Sequence, residues 1–330
     1  MEASTATLPP HVFGYVWRTT RAHQLALALL SVVVFALSAL PLELQRRIVN
    51  DALRKGTLDA IVWLALAYAA VALLEGLTKL GLNLYRGWVS GNAVRHLRGT
   101  THVLASRVVG EHPSPEAEGV EISMVLSEAE PIGLFVGSSL SEPILQGGIL
   151  LSVFGYMFYI EPLMATFSLL LFSPQLVFVP LIQRAITRRS RERIQTLREV
   201  SGAIIADPGA LSGSAARQAE RIDHIFELDM GIYKLKFSMN FLMNLMHHLG
   251  VAGALGIGGW LAVTGHIEVG TVVAFVSGLN KVNDPWGDVV NWYREMTVVA
   301  TKYRLLVGAL YWLAAPPASG APAGAAGARS

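Results

Sequence analysis

The sequence predicts an all-α membrane protein: six transmembrane helices with long cytoplasmic helical arms. Three observations predict it. First, 52% of the 330 residues are hydrophobic and only 15% charged, with a mean hydropathy of +0.46, an apolar excess beyond that of an ordinary soluble domain. Second, the apolar run 164–182 passes directly into an arginine-rich one, Arg184-Ala-Ile-Thr-Arg188-Arg189-Ser-Arg191-Glu-Arg193. Third, a polar arm of roughly fifty residues separates that run from a second apolar one, 237–261; folded back on itself, it is a helical hairpin reaching roughly 35 to 40 Å from a bilayer.

The formal net charge of +2 carries no argument for nucleic acid, because the arginines cluster beside apolar runs, where membrane topology explains them. The absence of cysteine excludes disulfides, thiolate metal sites and a cysteine nucleophile.

Residues 1–23 hold Pro9-Pro10 and His11-Val-Phe-Gly-Tyr-Val-Trp17-Arg18, an aromatic and basic mixture suited to the headgroup level, and are read as an interfacial elbow helix. The first span is 24–42. Its Ala36-Leu-Ser-Ala39 ending has the small-residue pattern of a cleavage site, but the run is nearer span length than signal length and continues as an amphipathic helix, 44–53. The second span, 59–82, carries Glu75 and Lys79 four residues apart, either as an ion pair facing other helices or as part of a polar pathway. Helical periodicity then persists through 86–109 while the residues turn polar, so the helix leaves the membrane unbroken until Glu111-His-Pro113-Ser-Pro115. Residues 116–130 contain five glutamates without a histidine at ligand spacing, which suits a solvated face better than a metal or acid/base site.

Pro131 starts a return helix that becomes the third span, 143–160, and Glu161-Pro162 is a minimal turn into the fourth. At the tip of the second arm, Gly202-Ala-Ile-Ile-Ala-Asp207-Pro208-Gly209-Ala-Leu-Ser-Gly213 breaks the helix, leaving room for a short cross-helix. Residues 215–236 return with charges on one face. The fifth span then holds Met239-Asn-Phe-Leu-Met243-Asn-Leu-Met246-His247-His248, unusually polar for a membrane helix. The two histidines either line a cavity or hydrogen-bond between helices. Adjacent helical residues point about 100° apart, so they do not chelate one metal.

Gly265-His-Ile-Glu-Val-Gly270 is a tight external turn, and the sixth span starts near Thr271. It soon meets Asn280-Lys281-Val-Asn283-Asp284-Pro285-Trp286-Gly287-Asp288, too polar to face lipid at depth and therefore placed on a water-filled cavity or the cytoplasmic mouth. The membrane domain is thus 24–312, and 313–330, rich in alanine, glycine and proline, is expected to be a disordered tail. Lysines and arginines put both long arms and both termini in the cytoplasm of a multi-pass protein of the plasma membrane, the inner membrane of a bacterium. Arg46, Arg47, Arg54 and Lys55, after the first span, break that pattern.

Six spans, short outer turns and two long arms resemble the transmembrane domain of an exporter-type ABC transporter, with a similarity covering about 12–309. Its most specific stretch is Gly258-Gly-Trp-Leu-Ala-Val-Thr-Gly265-His-Ile-Glu-Val-Gly270-Thr-Val-Val-Ala274-Phe275, close to the family's G-G-x-L-x-x-x-G-x-(I/L)-(S/T)-(L/V)-G-x-L-(V/L)-A-F. Pro285 and Tyr293-Arg294-Glu295 also fall where the family's sixth span carries a proline and a similar ending. In the first arm Gly119, Ser123 and Glu128 match the family's coupling-helix pattern, with Met124 in place of its usual arginine. Residues 206–213 occupy the second coupling position with a poor match.

The resemblance implies a homodimer, or a heterodimer with another six-span half, within a lipid bilayer. Gly119, Ser123, Glu128, Asp207, Pro208, Gly209, Leu211 and Gly213 would contact a separate nucleotide-binding subunit, and His247, His248, Asn283, Asp284 and Asp288 would line the pathway. The sequence has no G-x-x-x-x-G-K-(S/T) phosphate loop, so ATP and Mg are expected on the partner ATPase, and no cofactor, metal or catalytic residue on this chain. Leu211-Ser-Gly-Ser214 matches the transporter signature only by coincidence, lying within an arm. The alternatives are a regulator or scaffold that has lost ATP coupling, an ATP-independent transporter or channel, and an intramembrane enzyme using His247, His248 and Asp284. Composition does not choose a substrate.

Overall fold

The structure of the protein, a computed structural model, describes residues 9–54, 56–111, 129–206 and 213–314. Among them 93% are helical and none lies in a strand, so the class is all-α. Five helical stretches are long and apolar enough to cross a membrane: Val12–Leu53, Leu58–Val103, Ala129–Ile160, Pro162–Leu197 and Ala219–Val263. The chain is a multi-pass membrane protein. The expected sixth segment, from Thr271, falls short of that apolar length because the polar run headed by Asn280 and Lys281 interrupts it.

The helices are α1 (Val12–Ser38), α2 (Leu40–Leu53), α3 (Leu58–Glu111), α4 (Ala129–Ser138), α5 (Ser141–Ile160), α6 (Pro162–Phe172), α7 (Gln175–Ala206), α8 (Gly213–Val263) and α9 (Val269–Ala314). α3 runs unbroken from apolar into polar sequence, as its periodicity predicts, and α8 runs unbroken from polar into apolar sequence. Elsewhere the breaks differ from the sequence reading, and each has a local cause. The elbow is continuous with the first span; only Thr20, at φ −132 and ψ 23, leaves helical geometry, while its hydroxyl donates back to the Val16 carbonyl at 2.8 Å. α1 and α2 part at Ala39, where Leu42 N–H reaches the Ala39 carbonyl at 3.2 Å instead of Ser38. The expected unbroken return helix is split into α4 and α5, because Pro143 has no N–H for the Ser139 carbonyl. Pro174 likewise splits the fourth segment into α6 and α7, and the Ser173 hydroxyl donates to the Leu170 carbonyl so exposed, at 2.8 Å.

The chain forms two compact units, Met1–Phe35 with Leu74–Gly148 and Asn291–Ser330, and Ala36–Leu73 with Ile149–Val290. In the first, Tyr15, Leu27, Leu82, Leu97, Ile132, Phe135 and Tyr303 are fully buried. Fully buried Gln24 donates to the Val136 carbonyl at 2.8 Å, just before the α4/α5 break, and Ser31 donates to the Ser141 carbonyl beyond it at 3.2 Å. Gly137 lets α4 lie against α3: a Cβ there would sit 2.2 Å from the Ser90 hydroxyl. The Tyr303 hydroxyl donates to the Pro9 carbonyl at 2.8 Å, tying the chain before α1 to α9.

In the second unit α6 and α7 both pack along α8. Gly253 and Gly258 take the side chains of Phe167 and Met164 where a Cβ would clash, at 2.2 and 2.7 Å. Farther along the hairpin, Arg189 Nη1 donates to the Gly231 carbonyl at 3.0 Å and Arg193 pairs with Asp229 at 2.6 Å. On α2, Glu43 accepts from Arg46 at 2.9 Å, Arg47 at 2.6 Å and the Tyr156 hydroxyl at 2.7 Å. Asn50 is 7% exposed; its Oδ1 accepts the Gly270 backbone N–H at 2.8 Å, and its amide donates to Glu268, which also pairs with Arg54. Asn50 therefore caps the start of α9 from far away in the chain. Arg46, Arg47 and Arg54, the bases out of keeping with the charge pattern, each have a carboxylate partner; Lys55 lies outside the described residues.

Candidate functional site

The polar residues of α8 and α9 within the second unit form the candidate site. His247 and Asn280 are hydrogen-bonded, Nε2 to Oδ1 at 3.1 Å. The His248 ring lies edge-on to that of His247, 5.4 Å between centroids, and is exposed. The adjacent histidines thus diverge as helical geometry requires. Among the described residues no three His, Asp or Glu side chains gather in a way that holds a metal ion.

One residue on, Lys281 Nζ donates to the Ser38 carbonyl at 2.7 Å. That carbonyl lost its helical partner at the α1/α2 break, so the ammonium supplies what the backbone does not. Asn280, Asp284 and Asp288 recur every four residues along one face of α9, with Asp284 exposed and Asp288 half-buried; Asn283 lies on a different face, half-buried. Of the five pathway residues expected from sequence, the structure brings His247 onto the α9 strip by way of Asn280 and leaves Asn283 apart. Asn280 and Lys281, which make the interhelical contacts, were not among them. Their signal was present, since they head the same polar run, but charge alone did not single them out.

Beside the strip lies an aromatic group. Trp286 packs edge-on against Phe172 at 5.6 Å, and Phe172 against Phe154 at 5.8 Å. Trp286 Nε1 is buried with no hydrogen-bond partner among the described residues, and so is Oε1 of Gln175, a residue only 1% exposed at the start of α7. Most buried polar groups in folded proteins are paired, so both leave hydrogen-bonding capacity unused, as do Gln45 Oε1 and Trp292 Nε1 elsewhere among the described residues. Chemically the arrangement offers hydrogen bonds, an ammonium, carboxylates and aromatic faces, which suit binding rather than covalent catalysis.

The residues expected to contact an ATPase, Gly119, Ser123, Glu128, Asp207, Pro208, Gly209 and Leu211, lie outside the described residues; Gly213 is the first residue of α8. The chain matches no family model and no curated protein.

Proposed function

We propose that this chain is the membrane-spanning half of an ATP-driven ABC exporter, working as a dimer with separate nucleotide-binding subunits. The observation that supports it most is the second arm. α7 and α8 leave their apolar segments still helical and still paired through Arg189, Gly231, Arg193 and Asp229. From Arg184 to Ala206 and from Gly213 to Lys236 each carries roughly 35 Å of polar helix. A hairpin that long has no role inside a bilayer, whose hydrocarbon core is about 30 Å thick. It suits a lever that meets a soluble ATPase, as the sequence resemblance implies.

In this reading the start of α9 is the sixth span, polar because it faces the pathway rather than lipid. The strip from His247 through Asn280, Lys281 and Asp284, with Trp286 and Gln175, binds the cargo, and ATP closure of the partner subunits shifts the chain between inward- and outward-open states. Such a shift requires the ATPases to bind the two states with affinities differing by several kcal/mol. The test is a mild-detergent pull-down of the tagged chain from its own host with mass spectrometry of its companions. A phosphate-loop subunit is expected; an intact dimer that brings down no ATPase favours the scaffold reading, to which Met124 in the first arm also points.

A further inference from the structure

The five arginines of 184–193 divide into two sets. Arg189 and Arg193 are spent inside the hairpin, on the Gly231 carbonyl and on Asp229. Arg184, Arg188 and Arg191 are exposed, follow one another at the spacing of a single helical face, and make no ion pair or hydrogen bond among the described residues. The nearby Glu192 faces His224 instead, at 3.6 Å. The same exposed face of α7 begins with Val177 and Leu181, 63% and 56% exposed. One stripe therefore passes from apolar to basic within a turn.

α8 repeats the pattern in the opposite direction. Its exposed face runs from Lys234 to Phe237 and Phe241, the last two 63% and 65% exposed, with Lys236 exposed beside them. The contact of Arg189 with Gly231 sets the register of the two antiparallel helices and puts Arg184 level with Lys236. The face of α7 thus changes from apolar to basic at the height where Lys234 and Lys236 stand exposed on α8. From Arg184 to Arg191 the helix rises about 10 Å, which covers the headgroup layer lying outside the hydrocarbon core.

We propose that Arg184, Arg188, Arg191, Lys234 and Lys236 form a collar at the base of the hairpin that binds anionic phospholipid headgroups. Basic side chains at that height attract the phosphates of anionic lipids, and exposed apolar side chains immediately below accept the acyl chains. The inference rests on the chain being a membrane protein and holds whether or not it is an exporter.

The experiment uses the full chain in nanodiscs of phosphatidylcholine with added phosphatidylglycerol, and native mass spectrometry of the lipid retained after delipidation. Each basic group near an anionic surface contributes about fivefold, so R184Q/R188Q/R191Q is expected to lower phosphatidylglycerol affinity roughly a hundredfold. R184K/R188K/R191K is expected to keep most of it, and added inorganic phosphate to displace none. Undiminished phosphatidylglycerol retention in the glutamine variant overturns the proposal, as does displacement by inorganic phosphate, which marks a site for free anions. Should the triple variant lose its helical signal in pure phosphatidylcholine discs, R184Q and R188Q are read singly, each expected to cost about fivefold.

Discussion

The part of α9 within the second unit meets the rest of that unit through two polar regions that are settled in opposite ways. At its start, Asn50, Glu268, Arg54 and the Gly270 N–H answer one another's hydrogen-bonding needs, and Gly270 has no side chain because the Arg46 carbonyl and Asn50 occupy the space. One to two turns into the polar run, Asp284 is exposed and Trp286 Nε1 is buried, and at the start of α7 Gln175 Oε1 is buried, the last two without partners among the described residues. The first region is closed upon itself and holds the fold. The second keeps polar capacity unspent, which costs stability and which, in the proposed reading, the cargo answers.

Substitutions sharpen this contrast, read as apparent unfolding midpoints in one detergent. Gly270→Val should be the most damaging, by about 3 kcal/mol, because a Cβ there sits 2.2 Å from the Arg46 carbonyl oxygen and 2.4 Å from Asn50 Oδ1. Asn50→Ala should cost about 2 kcal/mol, since it strands the buried Gly270 N–H. Trp286→Phe should be neutral or stabilising by up to about 1 kcal/mol, because it removes a buried donor that has no partner. If the strip binds cargo as proposed, the same variant should lower transport. If Trp286→Phe destabilises as much as Asn50→Ala, the distinction between the two regions fails. Arg47→Ala should change stability by less than about 0.5 kcal/mol: the arginine is 61% exposed, and Glu43 keeps Arg46 and Tyr156 without it.

Much of the fold was legible in the sequence because a membrane helix declares itself by length and apolarity. The unbroken course of α3 and α8, the turn at Glu161-Pro162 and the turn at Gly265, whose φ of 73 suits glycine, all follow from local rules. Interior breaks were harder. Pro143 and Pro174 split segments that hydropathy joins, whereas Pro285 sits inside α9 without ending it. Proline removes one donor in every case, and tertiary packing decides whether the helix survives. The site was legible as a polar composition, not as a set of contacts. His247 and Asn280 are neighbours only because α8 and α9 bring together positions 33 residues apart, and the Ser38 carbonyl needs Lys281 only because of a break at Ala39. Arg46, Arg47 and Arg54 pair with Glu43 and Glu268, contacts that a count of lysines and arginines does not register.

The absence of native cysteine makes a direct test of alternating access practicable. A single Asp284→Cys substitution, at an exposed position of the strip, would be labelled with a membrane-impermeant maleimide in inside-out and right-side-out membrane vesicles, with and without ATP. The account predicts labelling from the cytoplasmic side without nucleotide and from the opposite side when ATP is bound. Labelling from one side whatever the nucleotide, or from both sides at once, would contradict it, the first outcome indicating a scaffold and the second a channel.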